Sequence, residues 1–69
     1  MKLGDKLFTE AQRVLLEHDI EIRRMENGAV VAFNRSPWGG SSEVFKSLVA
    51  CVDYHKPIVR DERLTAMYV

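Results

Sequence analysis

The apolar positions of this chain follow two rhythms. Leu7, Phe8, Ala11, Val14, Leu15 and His18 recur at spacings of three and four, which predicts a helix with one apolar stripe. Asp5, after Gly4, is a suitable N-cap for it and complements the positive end of the helix dipole. Glu10, Arg13 and Glu17 fall on the opposite side, at spacings that allow ion pairs worth about 0.3 kcal/mol each. Leu16 points away from the stripe, and His18 lies in the last turn, where a protonated imidazole suits the negative end of the dipole. From Ile20 to Asn34 the rhythm shortens to two. Two runs of sheet-forming residues flank Asn27-Gly28, the dipeptide favoured by a two-residue type I′ hairpin turn. Such a turn sets Met25 opposite Val30, Arg24 opposite Val31, Arg23 opposite Ala32, Ile22 opposite Phe33 and Glu21 opposite Asn34. Ile20, Ile22, Val31 and Phe33 then share the core face, with Arg24 at its end. The other face carries Glu21, Arg23, Met25, Val30, Ala32 and Asn34, of which Met25, Val30 and Ala32 form an apolar strip without cover. A slip of one residue exchanges the faces, so this assignment rests on the turn.

After the hairpin, Arg35 to Ser42 has the composition of a loop. Pro37 keeps Ser36 extended, Gly39 and Gly40 loosen the backbone, and Ser41 or Ser42 caps a second helix. That helix is expected from about Ser42 to Tyr54, burying Val44, Phe45, Leu48, Val49 and Val52, with Pro57 ending it. Leu64, Ala66 and Tyr68 alternate with Thr65, Met67 and Val69, which predicts a terminal strand over Arg63 to Val69. A short helix begun by Asp61 is the competing reading. The expected architecture is a single α+β domain over residues 1–69, in the order α-β-β-α-β, its antiparallel sheet carrying both helices on one face.

Length and charge narrow the function classes. A chain of 69 residues buries roughly 60% of its unfolded surface and needs outside support. With one cysteine, Cys51, an intrachain disulfide is excluded, and self-association into a homodimer becomes the expected support. Ten basic and ten acidic residues cancel, which argues against a dedicated nucleic-acid binder. The N-terminus is too charged for a secretory leader and no apolar run reaches a membrane span, so a cytoplasmic protein is expected.

Candidate chemistry is sparse. Gly39, Gly40, Ser41 and Ser42, read as a glycine-rich helix start, are a candidate anion site, with Trp38 and Arg35 beside them to stack or pair. Neither GxxxxGK[ST] nor GxGxxG is present, and Glu43 opposes an anion there. Cys51 and His55 share a helix face at the spacing of two metal ligands or of a thiol and its base, yet lack companions. No carboxylate pair or serine triad is apparent, so neither enzymatic activity nor a cofactor is expected. Arg23, Arg24, Arg35, Arg60 and Arg63 are interleaved with Glu21, Glu26, Asp61 and Glu62, the pattern of a solvated, salt-bridged surface.

The order helix, hairpin, helix resembles the double-stranded-RNA-binding-like fold and the small toxins built on it. Those have a third strand before the second helix. Here a glycine-rich loop replaces that strand, the helix opens SSEVF rather than with a lysine cluster, and the toxins' glycine-serine-histidine motif is missing. No family is assigned. The expected function is binding by protein–protein contact, through Arg35, Trp38, Met25, Val30 and Arg23. Small uncharged chains of this kind include phage- or plasmid-encoded regulators and inhibitors of larger host complexes, an analogy of size alone. The alternative is a small-ligand, nucleotide or nucleic-acid phosphate binder using the Gly-Gly-Ser-Ser segment.

Overall fold

The structure, a computed structural model, describes residues 3–35 and 40–67, with side chains from residue 6 onward. Helix α1 (Leu3–Leu16) leads into strands β1 (Ile20–Arg24), β2 (Val30–Asn34) and β3 (Ser41–Phe45), followed by helices α2 (Leu48–Val59) and α3 (Glu62–Thr65). The strands form one antiparallel sheet in the order β1-β2-β3. Ala11, Val14 and Leu15 of α1 and Cys51 and Val52 of α2 join Ile20, Ile22, Val30 and Ala32 in one buried cluster, so both long helices cover the same face. The α+β class and the antiparallel sheet agree with expectation. The element order does not: the third strand precedes the second helix.

The hairpin turns where expected but with a different loop. The Gly28 N–H donates to the Met25 carbonyl at 3.0 Å, and the Met25 N–H donates to the Ala29 carbonyl at 2.8 Å. The loop is therefore Glu26-Asn27-Gly28, and only Gly28, at φ +87°, is left-handed. Asn27 avoids positive φ and instead accepts the Ala29 N–H on its side-chain oxygen at 3.1 Å. A second left-handed residue is thus unnecessary, which spares the steric cost a type I′ turn places on Asn27. The result is a register one residue away from the expected one: Ile22 pairs with Ala32, Arg23 with Val31 and Glu21 with Phe33. On β1 the core face is as expected. On β2 it is exchanged, so Val30 and Ala32 are buried while Phe33 is exposed.

Ser41 and Ser42 do not cap a helix. They lie in β3, where Ser41, Glu43 and Phe45 face the helices and Ser42 and Val44 face away. A hairpin alone is marginal, and a third strand gives its sheet the width to support the helices. Gly40 serves this return, because a Cβ there would stand 3.0 Å from the Asn34 carbonyl oxygen. The cap is Ser47, whose hydroxyl accepts the Ala50 N–H at 3.2 Å. Pro57 lies inside α2, which continues to Val59 and closes with Arg60 in a left-handed conformation, its N–H bonded to the Lys56 carbonyl at 3.1 Å. Partly buried Val59 packs on the core and supports this extra turn.

The tail folds as the competing reading had it. The Asp61 carboxylate accepts the Arg63 N–H at 2.9 Å and starts α3, and Leu64 and Met67, three apart, are buried. Arg63 also forms two 2.9 Å bonds to the Glu17 carboxylate, tying the tail to the end of α1. His18, past the helix end, contacts Asp61 at 3.1 Å.

Candidate functional site

The helices leave the outer face of the sheet uncovered by any described element. Strand pairing places Arg23, Val31 and Val44 in one row across this face and Glu21, Phe33 and Ser42 in the next. Phe33 is 38% exposed and Val44 62% exposed, and Val31 between Arg23 and Val44 is half-buried. The alternation that sends Val30 and Ala32 inward puts these three apolar side chains in contact with water.

Charge frames the patch. The Arg23 guanidinium lies 5.9 Å from the centre of the Phe33 ring, within cation–π range, and pairs with Glu21 at 3.2 Å. Arg35 is exposed just past β2 and lines a shallow hollow with Glu21, Arg23 and Phe33. A second hollow joins Phe33 to Ser42 across β3, so Phe33 borders both. The described residues of this surface thus present an aromatic centre with two arginines and one carboxylate beside it.

Of the residues expected to contact a partner, Arg23 and Arg35 come together here. Met25 is 44% exposed but lies at the hairpin end, outside the two rows. Val30 is 1% exposed and belongs to the core, so the one-residue shift in register removes it from any contact surface. Trp38 and Gly39 lie outside the described residues. Gly40 is exposed, and Ser41 and Ser42 belong to a strand, so the cluster of helix-start N–H groups behind the anion reading is not formed there. Phe33, Val31 and Val44 were not expected at the surface. For Val31 and Phe33 the signal in the sequence was the second possible phase of β2, with 31 and 33 out and 30 and 32 in, whereas Val44 was missed because Ser41–Phe45 forms a strand where a helix was expected.

The Cys51–His55 pair is held inside the core. Cys51 is fully buried, and burial pushes its thiol up to about 11. His55 Nδ1 lies 3.7 Å from the sulfur but donates to the Cys51 carbonyl at 2.8 Å. That bond holds the ring and leaves Nδ1 unable to act as a base for the thiol. Among the described residues no group of three or more His, Cys, Asp or Glu side chains is placed to hold a metal ion. No helix of the described residues is long and apolar enough to cross a membrane. Compared with protein families, curated proteins and solved structures, the chain matches none.

Proposed function

We propose that this is a non-enzymatic binding protein that acts by protein–protein contact through the outer face of its sheet. The observation that carries the reading is the uncovered row-pair centred on Phe33, with Val31 and Val44 beside it and Arg23 and Arg35 at its border. Aromatic and arginine side chains grouped on a rigid sheet are the composition of binding hot spots. The partner surface complementary to it has an apolar centre and flanking carboxylates. A regulator or inhibitor of a larger complex works in this way by occupying a surface. A second copy of the chain is also an admissible partner, and it would supply the apolar burial that a 69-residue domain lacks.

A photo-crosslinking amino acid placed at Val44 in living cells tests this reading. It is expected to give a defined protein adduct that disappears in a Phe33→Asp background, while the same probe at exposed Leu16 on α1 gives none. An adduct of twice the chain mass, together with concentration-dependent sedimentation, identifies the partner as a second copy. Identical adducts from both positions, or persistence of the Val44 adduct in the Phe33→Asp variant, refute the proposal.

A further inference from the structure

On the opposite side of the sheet, between the open end of β3 and the C-terminal half of α2, lies a cleft of about 190 Å³. Its deepest polar group is His55, only 6% exposed. The Nδ1 of this ring is bonded to the Cys51 carbonyl at 2.8 Å, and because a carbonyl only accepts, Nδ1 carries the proton. In the neutral ring Nε2 is then a bare acceptor. It has no hydrogen-bond partner among the described residues, and since no sealed-off side-chain nitrogen lacks a partner, it keeps contact with solvent on a ring that lines the cleft. Tyr54 and Phe45 both pack edgewise on the His55 ring, with centroids at 5.0 and 5.6 Å, and fix its orientation. Glu43 reaches the same cleft from β3 and, among the described residues, is the only formally charged one lining it. Lys56, the nearest cation along α2, is turned away, its ammonium bonded to the Met67 carbonyl at 2.6 Å and paired with Asp53 at 3.3 Å. The negative end of the α2 dipole adds to the acceptor character. Ile20 and Ile58 supply apolar wall.

An acceptor nitrogen, a carboxylate and an aromatic side chain around an apolar wall suit a cation with N–H donors and are wrong for an anion. We propose that this cleft binds a guanidinium or primary ammonium group on a short apolar stem, with Glu43 and the His55 Nε2 accepting its N–H donors and Tyr54, Ile20 and Ile58 receiving the stem. Glu43 and His55 lie on the helix side of the sheet and Phe33 and Val44 on the other, with Asn34, Ser41 and Ser42 bordering both hollows. Shifts at Glu43 and Tyr54–Ile58 therefore distinguish this site from the proposed docking face, and either proposal survives failure of the other. A purely structural role for Glu43 is well defined: an inward-pointing charge on an edge strand deters sheet-to-sheet pairing. The two roles make different demands on a variant.

The test is amide chemical-shift mapping on the full ¹⁵N-labelled chain, titrated with butylguanidinium and butylammonium, and with 1-pentanol and pentanoate as neutral and anionic controls. Saturable shifts are expected with both cations over Ser41–Glu43 and Tyr54–Ile58, with dissociation constants on the order of millimolar for so few ligand atoms. Glu43→Gln, at an exposed edge position, should keep the fold by circular dichroism and weaken the cations about fivefold. A blocked Gly-Arg-Gly peptide that binds tighter than butylguanidinium assigns the group to a protein side chain, whereas weaker binding assigns it to a free small cation; either upholds the site. Equal shifts with 1-pentanol, no saturation with the cations, or unchanged cation affinity in Glu43→Gln overturn it.

Discussion

Replacing Val30 and Phe33 separately with alanine weighs the two possible registers of the hairpin against each other. Val30 is 1% exposed and sits in the core cluster, so Val30→Ala deletes two buried methyl equivalents and leaves a cavity. At about 0.8 kcal/mol per methylene plus the cavity contribution, the loss is about 2 to 3 kcal/mol. Phe33 is the larger side chain but is 38% exposed on the outer face, where its described partner is the Arg23 guanidinium at 5.9 Å. Removing that contact and some cross-strand packing costs about 1 kcal/mol. A domain of this length has a total stability of about 3 to 10 kcal/mol, so the difference is measurable. Urea unfolding followed by circular dichroism should show the Val30→Ala midpoint well below that of Phe33→Ala. The melting temperatures should fall by about 10 to 20 °C and about 4 to 8 °C respectively. A two-residue turn inverts the order, with Phe33→Ala costing about 3 to 5 kcal/mol and Val30→Ala a few tenths. Finding Phe33→Ala the more damaging would therefore refute the register, the core and the contact surface together.

Acid should loosen the junction of α1 and α3. The Arg63 guanidinium, and secondarily His18, hold the Asp61 carboxyl well below its ordinary 3.8, and Arg63 likewise lowers Glu17. Carboxyls depressed in the folded state contribute stability that is present above their unfolded values and lost as the pH falls toward the folded ones. Urea midpoints should decline below about pH 4, and Arg63→Met should flatten that decline; an unchanged profile in the variant would sink the assignment. The buried Cys51 thiol is shifted the other way, from 9.0 up to about 11, so its contribution holds below pH 9 and erodes as the pH rises toward 11. At pH 8 iodoacetamide should modify the folded chain far more slowly than the urea-unfolded chain, and equal rates would contradict the burial of Cys51.

The parts of the fold that periodicity revealed are those where local preference and packing agree. The α1 stripe placed Ala11, Val14 and Leu15 in the core, and Ile20 and Ile22 were assigned correctly because β1 has one apolar face. Arg24 also lies as expected at the end of that face, its guanidinium 4.6 Å from the Phe8 ring. Elsewhere two local solutions were nearly equal, and contacts distant in sequence chose between them. Ser41, Ser42 and Ser47 can each cap a helix; β2 has a second edge open to a strand, so the chain from Ser41 to Phe45 pairs there and the cap passes to Ser47. Pro57 discourages a helix, but Val59 finds cover against the core and the helix runs on. In the tail, alternation suggested a strand with Leu64 and Met67 on opposite faces, whereas a helix puts this pair, three apart, on one face and buries both. The Asp61 cap and the Glu17–Arg63 tie favour the helix.

The candidate surface was half legible for the same reason. Arg23 and Arg35 were recognisable as solvent-facing from charge alone, whereas Phe33 belongs to a strand whose residues on either side are both apolar. In such a strand hydrophobicity carries no phase information, and the loop decides. Asn27-Gly28 fits a two-residue turn with two left-handed residues or a three-residue loop with one, and the Asn27 side chain settles it by accepting the Ala29 N–H. That single hydrogen bond accompanies a loop that sends Val30 and Ala32 under the helices and Phe33 out beside Arg23. The core and the proposed binding face are therefore not separate features selected residue by residue. They are the two sides of one backbone choice, so a change in loop length at residues 26–28 acts on stability and on recognition at once.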